Sequence, residues 1–291
     1  MKASFAELAA RLGRHSESQD VIDTLLTDSR SLTRPSSSLF FAISPPGGND
    51  GHKYIRSLYE RGVRHFVTTH IPTDAGDMPE AEWIVTDNVV KALQKMAGRH
   101  SGIKAEILAI TGSRGKTTLK EWIFQLLEPT CEIARSPRSF NSQTGVPLSM
   151  WEIEPTTDLA IIEAGISRKG EMTPLRECID PDIVIFTNIG DAHAEGFRSL
   201  QEKADEKALL AAGSRVRSII YNADSAPLRE ALRPYLQGKQ TLAWSTTDPS
   251  AELFVSCAAF RDKGLAEVEY TYDGETHRIG APVACQADLE N

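Results

Sequence analysis

The chain has 291 residues, 41% hydrophobic and 25% charged, with 32 Lys and Arg against 40 Asp and Glu for a net charge of −8. That length suits two domains with separate cores, and the acidic balance argues against a partner held by general phosphate-backbone electrostatics, such as bulk nucleic acid. No apolar run approaches membrane-spanning length. Cys131, Cys178, Cys257 and Cys285 contain no C-x-x-C pair, so reduced thiols in a cytoplasmic protein are expected rather than a zinc ribbon or a disulfide framework.

The first stretch, "MKASFAELAARLGRHSE", has charges scattered through it and reads as a short amphipathic helix, not a signal peptide. Short β-like runs follow, "SLFFAIS" (38–44), "HFVTT" (65–69) and "WIVTD" (83–87), with helix-like pieces at 52–61 and 88–100. The loop "SPPGGNDG" (44–51) is dense in turn formers. From residue 106 the rhythm becomes regular. Buried-type strands at 107–111, 159–163, 183–187 and 218–222 are separated by helical segments. Such alternation predicts an α/β fold with a mostly parallel sheet flanked by helices. The boundary falls at "SGIK" (101–104), giving a small α/β N-terminal domain over 1–102 and a central domain over 103–291. Beyond residue 251 the pattern turns to strands, "LFVSCAAF" and "AEVEYTYDG", which predict an antiparallel extension. The final "PVACQADLEN" reads as a helix beginning, so the chain is expected to be a piece of something longer.

The stretch 107–127, "ILAITGSRGKTTLKEWIFQLL", places glycines between a short apolar strand and a helix whose Leu119, Trp122, Ile123, Leu126 and Leu127 follow helical spacing. A helix N-terminus there offers free N–H groups and a positive dipole end to phosphate. Gly112 and Gly115 allow close approach, Lys116 can neutralise phosphate charge, and Thr117 can reach a magnesium ion. The general phosphate loop, however, has two glycines five positions apart, and Ile110 stands where the first belongs. The bland alternative is a glycine turn with a surface lysine. Two further residues favour the site. Glu163 ends "DLAIIE", which suits an exposed carboxylate at a strand's carboxyl edge, and His193 follows "DIVIFT" at a corresponding edge, where open parallel sheets bind ligands.

These motifs resemble the Mur ligase family, ATP-dependent enzymes that extend the peptidoglycan precursor. The family's loop, T-G-T-N-G-K-T, is shorter than the general one, and "TGSRGKT" matches it except at Ser113 and Arg114. "TDSRSL", "LFFAI" and "NDGHKYI" are similar to its precursor-binding N-terminal domain, and "SFNSQTGVPLS" to its N-N-x-x-G-x-P segment, with Asn141 retained and Ser142 in place of the second Asn. "EAGISRKGEM" and "NIGDAHAEGF" resemble the member that adds D-alanyl-D-alanine to UDP-MurNAc-tripeptide. The E-x-S-S-H wording of the member adding the third amino acid is absent. "RSPRSFNSQTGVPLS" resembles dipeptide-adding enzymes fused to an alanine racemase, so fused or further C-terminal domains are part of the expectation.

The resemblance implies roles residue by residue. Gly112, Ser113, Arg114, Gly115, Lys116, Thr117 and Thr118 would hold ATP. Thr117, Glu163, His193 and Lys207 would serve Mg2+, with Lys207 carbamoylated to supply a further carboxylate and Lys203, one turn earlier, as its rival. Without the resemblance, both lysines read as solvated positions on an amphipathic helix. Ser29, Arg30 and Asn141 would contact the precursor, while Asp50, Gly51 and His52 shape a loop. Lys116, Lys207 and His193 would carry catalysis. The implied reaction is attack of the tripeptide carboxylate on the γ-phosphate, then of the D-alanyl-D-alanine amine on the acyl phosphate. The alternatives are another Mur-type or folylpolyglutamate-type ligase, an unrelated phosphate-loop switch, or a non-catalytic nucleotide or precursor binder. The DSR and DGH segments argue against the folate enzyme, which begins at its ATP domain. As a piece of a longer protein, the chain is expected to bind weakly without joining the substrates.

Overall fold

The computed structural model describes residues 1–45, 47–190, 196–261, 265–283 and 289. Ser4 opens the first helix with a reciprocal cap. Its hydroxyl accepts from the Glu7 N–H at 3.1 Å, and the Glu7 carboxylate accepts from the Ser4 N–H at 2.7 Å. Strand β1 (Ala3–Ser4) thereby leads into helix α1 (Phe5–Arg11), and β2 (Val21–Ile22) returns antiparallel to β1. The next four strands, β3 (Thr24–Leu26), β4 (Ser38–Phe41), β5 (His65–Thr68) and β6 (Glu82–Val85), form a parallel sheet in chain order. Every residue of β4 is buried, as expected of a parallel strand covered on both faces. Leu39 and Phe41 point to one apolar cluster with α1, and Phe40 points to the other. Helices α2 (Ile55–Glu60) and α3 (Val89–Ala97) cover opposite faces.

The second sheet is larger. Its order is β15-β14-β13-β12-β11-β10-β7-β9-β8, with β7 (Glu106–Thr111), β8 (Ile133–Arg135), β9 (Leu159–Ala164), β10 (Ile183–Phe186), β11 (Ser218–Asn222), β12 (Gln240–Ser245), β13 (Leu253–Arg261), β14 (Leu265–Tyr272) and β15 (Glu275–Ala281). Pairing is parallel from β8 through β13 and antiparallel from β13 to β15, which is the antiparallel extension expected beyond residue 251. Ile107, Ala109, Ala160 and Ile162 face one core, while Leu108, Ile110 and Ile161 face the other beneath helix α4 (Lys116–Leu127). Helices α5 (Gly145–Trp151), α6 (Met172–Ile179), α7 (Leu200–Ala208) and α8 (Ala226–Leu232) complete the layers.

The structure corrects the sequence reading in several places. Strands β1, β2, β3, β8, β12 and β15 were not expected. The helix read at 52–61 divides into a 3₁₀ turn, Gly51–Tyr54, and α2. In α4, Leu119, Ile123 and Phe124 pack on the sheet, but Leu126 and Leu127 are exposed and contribute nothing to that cluster. Among the described residues, no helix is long and apolar enough to cross a membrane.

Candidate active site

The turn between β7 and α4 carries the site. Gly115, at φ +82°, is the left-handed cap that starts α4. Gly112 sits at φ +152°, and a Cβ there would lie 1.8 Å from the Thr187 hydroxyl beyond the end of β10. Only glycine lets the loop approach its neighbouring strand this closely. The loop is tied down on that side. The Ser113 N–H donates to the Asn188 carbonyl at 2.8 Å, the Arg114 N–H to Asn188 Oδ1 at 3.0 Å, and Thr187 Oγ1 to the Arg114 carbonyl at 2.6 Å. The Arg114 and Thr118 side chains lie on the exposed outer side of the turn.

Cations converge inside it. Lys116 Nζ donates to the Gly112 carbonyl at 2.9 Å, and Lys207 Nζ, arriving from α7, donates to the same oxygen at 3.0 Å. Lys203, one turn earlier on α7, donates to the Gly190 carbonyl, which also accepts from Ser113 Oγ at 3.1 Å. Both α7 lysines are buried, contrary to their reading as solvated positions. Burial, then repulsion from Lys116 and Lys203, brings the Lys207 ammonium down to about 7. Burial also lowers Lys116, with Glu163 opposing the shift and Lys203 adding to it.

Glu163, next to last in β9, is fully buried rather than exposed. Thr117 Oγ1 donates to its Oε2 at 3.0 Å. Lys120 Nζ stands 2.9 Å from its Oε1, while giving directed hydrogen bonds to the carbonyls of Ser136 at 2.7 Å and Arg138 at 2.6 Å. Glu163 Oε1 itself receives no directed hydrogen bond. A buried carboxylate oxygen left in this state, beside a threonine hydroxyl, fits a hard, oxygen-seeking cation such as Mg2+. Lys120 was missed by the sequence reading. Its one signal was position: it lies one helical turn after Lys116, on the α4 face turned toward the sheet.

Two cavities meet at Gln143, and the smaller of them adjoins the turn. One, of about 290 Å³, is lined by Gly112, Ser113, Lys116, Asn141, Gln143, Ser167, Lys203 and Lys207 among others. The other, of about 620 Å³, runs between the two sheets' helices, with Ser44, Thr69, Asn88, Lys91 and Gln94 on one side and Arg168, Pro174 and Glu177 on the other. Gln143 lines both cavities, and Gln94 Nε2 donates to its Oε1 at 2.9 Å. Asn141 braces the mouth of β9, its carbonyl accepting from the Gly165 N–H at 2.7 Å.

The structure thus brings Gly112, Ser113, Lys116, Thr117, Glu163 and Lys207 together, with Asn141 beside them. Ser29 and Arg30 line neither cavity. They occupy a short turn in the N-terminal unit, where Asp28 grips the Arg30 guanidinium at 2.6 Å and Arg61 donates to the Ser29 carbonyl at 3.1 Å. Asp50 caps the turn containing His52, accepting from its N–H at 3.0 Å. His193 lies outside the described residues.

The Mur ligase middle domain model matches residues 110–291. The chain is 33% identical over 195 residues to the UDP-N-acetylmuramoyl-tripeptide–D-alanyl-D-alanine ligase of Borreliella burgdorferi, covering 64% of this chain and 41% of that protein. With the Synechocystis protein of the same name it shares 32% identity over 224 residues, 76% of this chain and 48% of the relative. The chain therefore spans rather less than half the length of these curated relatives. Among solved structures, MurF from Acinetobacter baumannii superimposes with a TM-score of 0.84 at 19% identity, covering all of this chain and 63% of that one. MurF from Thermotoga maritima in complex with ADP gives 0.77 at 19%, over 92% and 60%. At these identities the structural likeness speaks to the fold.

Proposed function

The chain belongs to the Mur ligase family, and from that premise we propose that it serves ATP-dependent amide formation, joining D-alanyl-D-alanine to UDP-MurNAc-tripeptide in the bacterial cytoplasm. The observation that carries this reading is the convergence of Lys116 and Lys207 on the Gly112 carbonyl, next to the Thr117–Glu163 pair. In this reading residues 1–102 bind the precursor and 103–291 bind the nucleotide.

The polyphosphate lies against the N–H groups of the 112–118 turn, with Lys116 leaving its Gly112 contact to meet it. Lys116 and Lys203 already face the smaller cavity, so positive charge is assembled before the ligand arrives. Thr117, Glu163 and His193 would hold magnesium, which would supply neutralisation of the charge brought together by carboxylate and phosphate. Lys207, with its ammonium brought down to about 7, presents a neutral amine to carbon dioxide near neutral pH. Uptake of CO2 by that amine with release of one proton would leave a carbamate, which would join the residues that hold the metal. The tripeptide occupies the larger cavity, with Gln143 and Asn141 at its junction with the nucleotide and Ser29 and Arg30 reaching the precursor from the N-terminal unit. The tripeptide carboxylate forms its bond to the γ-phosphorus as the bond to ADP breaks. The dipeptide amine then displaces phosphate and loses a proton.

Incubation with Mg-ATP, UDP-MurNAc-tripeptide and D-alanyl-D-alanine, read by mass spectrometry, tests the reaction. The products of the reaction are the pentapeptide precursor, ADP and phosphate; this chain, which spans less than half the length of its curated relatives, is expected by itself to bind without forming them. Titration of Mg-ATP and of the precursor tests the two sites separately from turnover. A chain that binds neither ligand overturns the reading.

A further inference from the structure

The N-terminal unit holds a second group of metal-type donors, built on a different sheet from Glu163. His65 opens β5 and Glu82 opens β6, and the parallel register sets the two opposite one another. Asp20 comes from the segment that leads into β2, fixed there by its carbonyl, which accepts from the Phe5 N–H at 2.9 Å. His65 Nε2 lies 3.2 Å from Asp20 Oδ2 and 3.7 Å from Glu82 Oε1. One donor atom from each residue falls within 4.8 Å of the other two.

The imidazole is the unusual member. His65 is 1% exposed, packed against Phe5 with 4.6 Å between ring centroids, and neither ring nitrogen makes a directed hydrogen bond. Nε2 meets Asp20 only as a poorly directed ion pair, and an ion seated between the ring and the two carboxylates would engage all three. Spacing supports it. Donors at roughly 2.0–2.2 Å from a tetrahedral zinc ion stand about 3.3–3.6 Å from one another. The two measured separations from Nε2, 3.2 and 3.7 Å, bracket that edge closely. Burial also holds the imidazole below its ordinary value, with Glu82 and Asp20 opposing, which favours the neutral ring that a metal needs. Two carboxylates and a neutral imidazole balance a dication. Glu82 is steadied through its other oxygen, which accepts from Ser16 Oγ at 3.5 Å.

We propose that Asp20, His65 and Glu82 form a binding site for a divalent transition cation of the zinc class, clasping the segment before β2 onto the neighbouring ends of β5 and β6. An imidazole with only two carboxylates suits Zn2+ or Co2+ better than Mg2+, which prefers six oxygens and keeps its waters. Asp20 and Glu82 retain exposed surface, so the ion has a path in and water can complete its coordination.

The test is titration of the metal-free protein with Co2+ and with Zn2+ in excess Mg2+, which saturates the oxygen-rich site at Glu163. One equivalent of Co2+ should bind with visible d–d absorption, and Zn2+ should displace it. Asp20→Asn and Glu82→Gln change polar, partly exposed groups and should leave the metal-free Tm close to that of the parent. Each should weaken Co2+ binding at least about tenfold, and the double variant should abolish the absorption band. Absence of the band in the parent, its survival in the double variant, or its loss on adding Mg2+ would overturn the proposal.

Discussion

Glu163 and Lys120 face each other at 2.9 Å with no exposed surface on either side chain. Removing one partner of such a pair strands the other in a poorly solvated place. Lys120→Met is therefore expected to cost about 3–5 kcal/mol of stability. Lys120→Met with Glu163→Gln should recover a large part of that loss, and urea denaturation of the four forms measures the coupling. Lys116→Ala has a different signature: folding is retained, but Mg-ATP affinity falls by about one to two powers of ten, matching roughly 1.5–3 kcal/mol for a charge-assisted contact. Titration calorimetry reads it directly. Lys207 sets a pH dependence. Its ammonium titrates at about 7 in the folded chain against an ordinary 10.5. Between those values the unfolded chain holds a proton that the folded chain does not, so this group's contribution to stability rises with pH across that window. Below about 7 both states are protonated and the full penalty remains. Urea midpoints in CO2-free buffer should climb less steeply from pH 7 upward in Lys207→Met than in the parent. The sequence exposed Lys116, Thr117 and Glu163 because strand and turn patterns locate loop and strand-end residues. It hid Lys120 because a lysine inside a helix reads as a surface residue until the neighbouring carboxylate is placed in space.

At the scale of elements, the turn from β7 to α4 depends on the absence of a side chain at Gly112. Gly112→Ala puts a carbon against the Thr187 hydroxyl in a backbone region that L-residues rarely adopt. The variant should lose about 1–3 kcal/mol or more of stability together with Mg-ATP binding. Adding Thr187→Ala should return part of the stability and little of the affinity, because the backbone conformation remains wrong. Thermal melts and nucleotide titration distinguish the two effects. Legibility followed the same physics. The runs that became β7, β9, β10 and β11 are apolar because both faces of a parallel sheet are covered. β8 is only three residues long and none of them is fully buried, so its pattern is too brief to register. β15 is exposed along nearly its whole length and joins the sheet through hydrogen bonding to β14, which hydropathy does not report.

Across the whole molecule, the two sheets are joined by a residue that sequence spacing cannot assign. Trp151 ends α5 of the central unit but is buried in the N-terminal unit's core with Phe5, Leu25 and Leu93. Its indole Nε1 donates to the Asp23 carbonyl at 2.9 Å, a link across 128 residues. Trp151→Ala is expected to cost about 3–5 kcal/mol, as large-to-small core changes do, and to loosen the 620 Å³ cavity that both units line. Chemical denaturation checks the first effect. Amide exchange across α3 and α5 checks the second. A change of rhythm near residue 101 was legible, and the two larger sheets fall on either side of it. Their mode of contact was not legible, since one apolar face looks like another until both are built.

Under the proposed carbamoylation, the burial of Lys207 would tie this protein to a dissolved gas. A charged reagent pays heavily to enter a pocket crowded with ammonium groups, but carbon dioxide is small and neutral. Capture by the free amine would invert the sign of one side chain, and the electrostatic character of the pocket would then follow the gas content of the solution. Protein purged of CO2 should bind Mg2+ more weakly, and bicarbonate should restore it within the time of hydration and capture. Carbon-13 bicarbonate should then give a carbamate resonance that Lys207→Met lacks.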